Sequence, residues 1–276
     1  SLTSTLYPGN PVFRTMTVDE VKSVNYDRAL ELGKQLFGNA KDYTFFFVGN
    51  FDEAKILPLI EQYIASLPNN GKKFKNVETL PVKGEVINKF TKAMENPQDV
   101  AVEIWCSEAP YTLRNSVLAD IAARVINMDY NRNIREKLSA AYYAGADAME
   151  SVKLDGKTMR VGVTGNAMMN PDKSKDAIPY FYSGLKDAME QPNLDDLQKV
   201  KEILLKQADV SCKQNGYWMG VISEYLLHGI DTHTNYKKEV SSVDAKAVSD
   251  FLKNVVMKDG NHVEVIMHAT KAGEAK

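Results

Sequence analysis

Arg132-Asn133-Ile134-Arg135-Glu136-Lys137-Leu138-Ser139-Ala140-Ala141-Tyr142-Tyr143-Ala144-Gly145 stands where a long helical pattern gives way to a strand-like one. Upstream of it, after Pro110, the residues Leu113, Val117, Leu118, Ile121, Ala122, Val125 and Ile126 recur at three- and four-residue spacing, which predicts a helix with an apolar stripe. Downstream, Ala141 to Met149 and Thr158 to Thr164 read as an antiparallel pair joined around Asp155-Gly156. A helix delivered onto antiparallel strands fixes the expected class: α+β, a mainly antiparallel sheet with helices packed on one face.

The pattern extends in both directions. Asp99 to Ser107 sets Val100, Val102, Ile104 and Cys106 against Ala101, Glu103 and Trp105 at the period of a half-buried strand. Glu85 to Lys92 precedes it across Glu95-Asn96-Pro97-Gln98, so a hairpin is expected there. Before these, Asn69 to Lys83 is polar, Lys-rich and closed by Pro81, the best linker in the chain. The opening part reads as a helix capped at Thr17 and running to Phe37, a strand from Tyr43 to Val48, and a helix capped by Asp52. Toward the other end come helices over Lys173 to Met189, Leu194 to Cys212, Tyr217 to Leu227 and Val243 to Val256, then a strand from Val263 to His268. Both the helix from Val18-Asp19 and the helix from Val243-Asp244 lead through Gly-Asn into a strand. That repeat suggests that residues 1–80 are the tail of a preceding α+β domain plus a linker, and that 81–276 form a complete final domain.

Composition narrows the function classes. With 34 basic and 36 acidic residues in 276, the net charge of −2 offers no electrostatic case for nucleic acid or an anionic membrane. No apolar run approaches the roughly 18 residues of a membrane span, so membrane insertion is not expected. Cys106 and Cys212 are too few for a disulfide framework and read as free thiols. No signal peptide is visible at Ser1, and the chain does not start with Met, as a processed or excised piece would not.

Several familiar chemistries lack their motifs. There is no G-x-x-x-x-G-K-[ST] phosphate loop, no G-x-S-x-G nucleophile elbow, and no H-E-x-x-H or H-x-x-E-H zinc helix. His228 and His233 could join Asp231 at a metal, but Gly229 between them argues against a rigid presentation, and helix-end or loop roles are expected. His262 and His268, six apart on a strand, are expected to be packed or exposed rather than ligating.

Residue by residue, the opening stretch has an ordinary explanation. Arg132, Arg135 and Lys137 complement the negative end of a helix dipole, and Tyr142 and Tyr143 are common strand residues facing opposite sides. As a string it is more specific. Arg135-Glu136-Lys137-Leu138 with Tyr142 seven positions beyond the arginine (142 − 135 = 7) resembles the R-E-K-x-x-x-x-Y signature of the pitrilysin or insulinase-type zinc metallopeptidases. Tyr7-Pro8-Gly9, Asp27-Arg28-Ala29-Leu30, Tyr43 to Asp52 and Asn215-Gly216-Tyr217-Trp218 look like further stretches of the bacterial periplasmic branch, in the same order.

The resemblance implies a clamshell of four similar α+β domains, of which this chain would hold the end of the third (residues 1–80) and the whole fourth (81–276). It implies zinc bound by an H-x-x-E-H motif in an N-terminal half, carried by the same protein or by a partner subunit, and no metal in this chain, which alone is expected to be inactive. A peptide is the implied substrate, and the periplasm or cell envelope the implied compartment. Arg135 and Tyr142 become the implied catalytic pair, and Arg135, Tyr142 and Tyr143 the substrate-binding residues. The chemistry suits these types: a donor aimed at a developing oxyanion is worth about 10²–10³ in kcat, and a guanidinium holds a carbonyl or carboxylate with parallel N–H bonds. Tyr142-Tyr143 replaces a single tyrosine, and Asn127 to Asn133 is more polar than the family pattern. A non-catalytic peptide-binding or scaffold subunit is the competing reading.

Overall fold

A computed structural model describes residues 2–69 and 74–271. In the first part, α1 (Leu2–Leu6), α2 (Val18–Lys22), α3 (Tyr26–Phe37) and α4 (Glu53–Tyr63) lie ahead of the sheet. The helix expected from Thr17 to Phe37 is two. Thr17 and Glu20 close a capping box on α2, and Asn25 restarts the chain by accepting from the Arg28 amide at 2.8 Å. Tyr43 to Val48 does not form a strand: among the described residues the isolated Asn39–Asn69 bridge is the only pairing nearby. An apolar, β-rich run needs a neighbour to satisfy its amides, and no strand among the described residues lies beside it; Phe45 and Phe47 stay 42% and 44% exposed. Of the described residues up to 69, only Asn39 is buried. The Asn69 to Lys83 linker falls partly outside the described residues, and 74–83 carry neither helix nor strand.

The remainder closes around one sheet. Its strands are β1 (Glu85–Met94), β2 (Asp99–Pro110), β3 (Ala141–Val152), β4 (Thr158–Met169) and β5 (Asn261–Lys271), in the order β1-β5-β2-β4-β3. All neighbours are antiparallel except β1 and β5. The hairpin expected between β1 and β2 is therefore absent, because β5 lies between them and pairs with both. Two strand spacings amount to about 10 Å, which the four residues Glu95 to Gln98 can cross when extended. This connection thus passes over the end of β5, where it borders the site described below.

Helix α5 (Leu113–Tyr130), N-capped by Thr112, packs on the sheet with Val117, Ile121, Ala122 and Ile126 among its buried residues. Ala119 and Ala123 are buried too, so the helix has core on more than the one side its stripe implied. Around it lie α6 (Pro171–Ala177), α7 (Pro179–Glu190), α8 (Leu194–Ser211), α9 (Asn215–His228), α10 (Tyr236–Ser242) and α11 (Ala245–Phe251). The helix expected over Lys173 to Met189 is interrupted at Pro179, which lacks the amide a continuous helix would need. The opposite face of the sheet carries a smaller cluster: Ile104, Cys106, Val263 and Val265, with Leu2 and Leu6 of α1 packed against it. Strand β2 is consequently buried on both faces rather than one, and Glu103, on the helix side, is fully enclosed.

Candidate functional site

The chain leaves α5 through a π-helical turn, Asn131–Lys137. Ile134 anchors it in the core, while Arg135 points to solvent. The polar approach from Asn127 to Asn133 is occupied by fold-making bonds. Arg132 is paired with Asp129 at 3.6 Å and with Asp196 of α8, and Asn133 donates to Asp129 at 2.9 Å and accepts from Lys137 at 2.9 Å. Burial raises the Asp129 carboxyl, against the Asn133 bond and the Arg132 charge. Arg132 and Lys137 are thus tied within their own surroundings. Arg135 is not: among the described residues its guanidinium makes no ion pair or hydrogen bond.

The chain then reverses at Ser139, whose φ of 48° places a non-glycine residue in the left-handed region. The turn is held from several sides. Lys173 Nζ donates to the Leu138 and Ser139 carbonyls at 2.9 and 3.2 Å, and the Ala140 carbonyl accepts from Asn170 N at 2.8 Å. A strained residue fastened between Arg135 and Tyr142 fixes the distance between them.

Immediately after the turn β3 contains a bulge. Ala141 pairs with Met169 and Tyr143 with Met168, leaving Tyr142 without a partner on β4. A bulge re-aims its extra side chain, and Tyr142 is 92% exposed. The strict alternation expected of Tyr142 and Tyr143 is therefore broken, and both residues border the same groove. Tyr143, 50% exposed, lies over Gly145: a Cβ there would sit 2.7 Å from the Tyr143 hydroxyl and 2.9 Å from Asn127 Oδ1. Asn127 Oδ1 also accepts from the Ala146 amide at 3.2 Å, so α5 covers part of the outer edge of β3.

Arg135, Tyr142 and Tyr143 line one groove of about 730 Å³, which Pro97, Asn170 and Pro171 also border. The structure brings together all three site residues read from the sequence. The bordering residues 97 and 170 had no local signal, because they meet only through the sheet order.

The histidines sort differently. His228 packs edge-on against Tyr111, while His233 Nδ1 lies 2.7 Å from the Tyr217 hydroxyl and Asp231 caps the His233 and Thr234 amides. His228 and His233 thus face different partners. Among the described residues no group of three or more His, Cys, Asp and Glu is placed to hold a metal, so these residues do not fit a zinc site. His268 binds Asp99 at 2.9 Å.

Sequence reading missed one titratable cluster beneath the sheet. Glu103 Oε2 lies 2.8 Å from His262 Nε2, and Glu103 stands directly opposite Glu264, which accepts from the Tyr182 hydroxyl at 2.7 Å and pairs with Lys89 at 2.7 Å. Burial pushes Glu103 up to about 7 against the His262 bond. Burial pulls His262 down, yet the bond and charge of Glu103 outweigh it and the net shift is upward. Glu264 ends below its ordinary value because Lys89, Tyr182 and Glu103 outweigh its burial. The only sequence signal was Glu103 on a strand otherwise fit for burial.

Comparisons with known proteins show the family. Residues 23–204 match the family described as "Peptidase M16 inactive domain". A protein of Arabidopsis thaliana named "Zinc protease PQQL-like" is 22% identical over 226 residues, 77% of this chain and 24% of that protein. Among solved structures, the periplasmic protease PqqL from Escherichia coli superposes with a TM-score of 0.76 at 17% identity, over 98% of this chain and 30% of that one. A peptidase M16 inactive domain from Pseudomonas fluorescens gives 0.72 at 12% identity, over 99% and 65%. The chain spans about a quarter of the curated relative and less than a third of PqqL.

Proposed function

The chain belongs to the peptidase M16 family, whose inactive domain its sequence matches, and on that premise we propose that it is the peptide-holding, non-zinc part of a zinc-dependent peptidase. Arg135 and Tyr142 are its working residues. The observation that carries this reading is their state in the groove: a guanidinium with no partner among the described residues and a phenol lifted out on a bulge, seven positions apart on either side of a fastened turn. Neither the helix dipole nor strand propensity requires that arrangement.

The roles follow from the groups. Arg135 offers parallel N–H donors that fix a peptide carbonyl or carboxylate in register. Tyr142 offers one O–H donor to a carbonyl oxygen that gains negative charge, and Tyr143 walls the site beside it. Zinc is supplied by another segment, carried in the same protein or in a partner subunit that closes over this one as a clamshell. Residues 1–80 are the end of a preceding domain plus linker, and 81–276 the final domain. The apolar run Tyr43 to Val48, without a neighbouring strand among the described residues, and the exposure of Phe45 and Phe47 support that division. The periplasm, the compartment named for the Escherichia coli relative, is the proposed location; no helix among the described residues is long and apolar enough to cross a membrane.

The test uses the full-length protein. Arg135→Ala and Tyr142→Phe each lower peptide turnover by about tenfold or more with zinc content unchanged, whereas Tyr143→Phe stays near the parent. Full activity in the first two removes the assigned roles. A coding sequence without an H-x-x-E-H upstream of Ser1 favours the non-catalytic subunit instead.

A further inference from the structure

The groove beside Arg135 and Tyr142 adjoins two further hollows. Pro97, Asn170 and Pro171 also border a second hollow with Ala269, and Pro171 and Ala269 border a third. All three lie at the same end of the sheet, where β3 and β2 begin and β4 and β5 end. Through these shared residues the three hollows adjoin one another as a trough. Three strand spacings separate β3 from β5, about 14 Å, which an extended peptide covers in about four residues.

The far hollow, about 550 Å³, differs in charge from the first. It is lined by Lys89, Lys175 and His268, with Asp99 as its carboxylate. That carboxylate is 3% exposed and turned to its own donors: Ser174 Oγ at 2.6 Å, the Ala269 amide at 2.7 Å and His268 Nδ1 at 2.9 Å. Those bonds outweigh its burial and hold it below its ordinary value, so it stays ionised and anchors the imidazole. The His268 side chain remains 45% exposed. Lys89 is tied to Glu264, but Lys175 is exposed and makes no ion pair or hydrogen bond among the described residues. Asp172 and Lys271 both border the middle hollow.

We propose that the trough holds an extended peptide and that Lys175, on the wall beside His268, selects a carboxylate about four residues from the point gripped by Arg135. This rests on the reading of the groove as a peptide site and adds a preference for acidic substrates. The complementarity is of charge and spacing together: a free guanidinium at one end and a free lysine at the other, and between them the uncharged Pro97, Pro171 and Ala269 with Asp172 and Lys271, whose charges are of opposite sign.

The probe is an acetylated, amidated heptapeptide of alternating threonine and valine ending in glutamate, compared with the same peptide ending in glutamine. Binding to the full 276-residue chain is read by calorimetry or by amide shifts. The glutamate peptide binds about three- to tenfold more tightly, as expected for a partly exposed ion pair. The double variant His268→Gln with Lys175→Gln loses that preference, so that the two peptides bind alike. Lys175→Gln alone, on an exposed helix surface, reduces the preference. Equal affinity for the two peptides, or a preference that survives the double variant, overturns the inference and leaves the groove reading intact. If neither peptide binds, the groove reading fails and the inference with it.

Discussion

Replacing Glu103 by glutamine changes how stability depends on pH, and its size follows from the enclosure of that carboxyl. Glu103 has no exposed surface, and burial lifts it from 4.5 to about 7 in the folded chain. Below pH 4.5 both the folded and unfolded forms hold the proton, so the group is neutral to stability. Between 4.5 and 7 the unfolded chain ionises while the folded one does not, and stability falls as pH rises. A displacement of about 2.5 units at about 1.4 kcal/mol each gives a loss of about 3 kcal/mol between pH 4 and pH 8. His262, net raised, acts in the same direction: its contribution is complete below its unfolded value of 6.5 and disappears as pH rises through its folded value. Glu264 and Asp99, net lowered, act oppositely, and their contributions fade only as pH drops below about 4. Glu103→Gln keeps the shape and removes the ionisation, so the parent and variant curves should converge or cross as pH rises from 4 to 8, shifting by about 3 kcal/mol in favour of the variant. Urea unfolding at several pH values measures this, followed by Trp105 fluorescence, because that indole stacks on His262 at 5.1 Å. Parallel curves for parent and variant would show that Glu103 is not held protonated and would refute the account of the cluster.

Two further substitutions probe the frame around the groove. Gly162→Ala places a Cβ 1.9 Å from the Trp105 carbonyl oxygen and 2.7 Å from Cys106 Cα, backbone atoms that a neighbouring strand cannot yield; a loss of about 3 kcal/mol or more is expected, seen as a melting point lower by about 6–12 °C. Ser139→Gly relieves the left-handed strain and should leave stability level or raise it by up to about 1 kcal/mol, whereas Ser139→Val destabilises by about 1–2 kcal/mol and weakens peptide binding by shifting Tyr142 against Arg135. Thermal melting with peptide titration checks both, and a valine variant as stable as the parent would show the turn to be unstrained.

What could be read from the chain alone divides by sequence separation. Helix α5, the β3–β4 pair around Asp155-Gly156 and the Arg135 to Tyr142 string are encoded by neighbours within a few residues, so periodicity and turn chemistry suffice to find them. The insertion of β5 between β1 and β2 is a choice made by residues more than 150 positions apart: Trp105 meets His262 and Val86 meets Val263, and nothing in the local alternation of β1 or β2 excludes the simpler hairpin. The π turn at Asn131–Lys137 and the bulge at Tyr142 are equally silent, because each adds one residue to a ladder without altering composition. These silent features are what make the site. Without the inserted strand, Pro97 would sit in a tight hairpin instead of bordering the groove that Tyr142 lines. Without the bulge, Tyr142 would be an ordinary strand residue with a partner on β4. The motif names the donors, and the long-range pairing supplies the wall against which a peptide can be held; a variant that restored a direct β1–β2 hairpin would therefore be expected to keep Arg135 and Tyr142 and still lose the site.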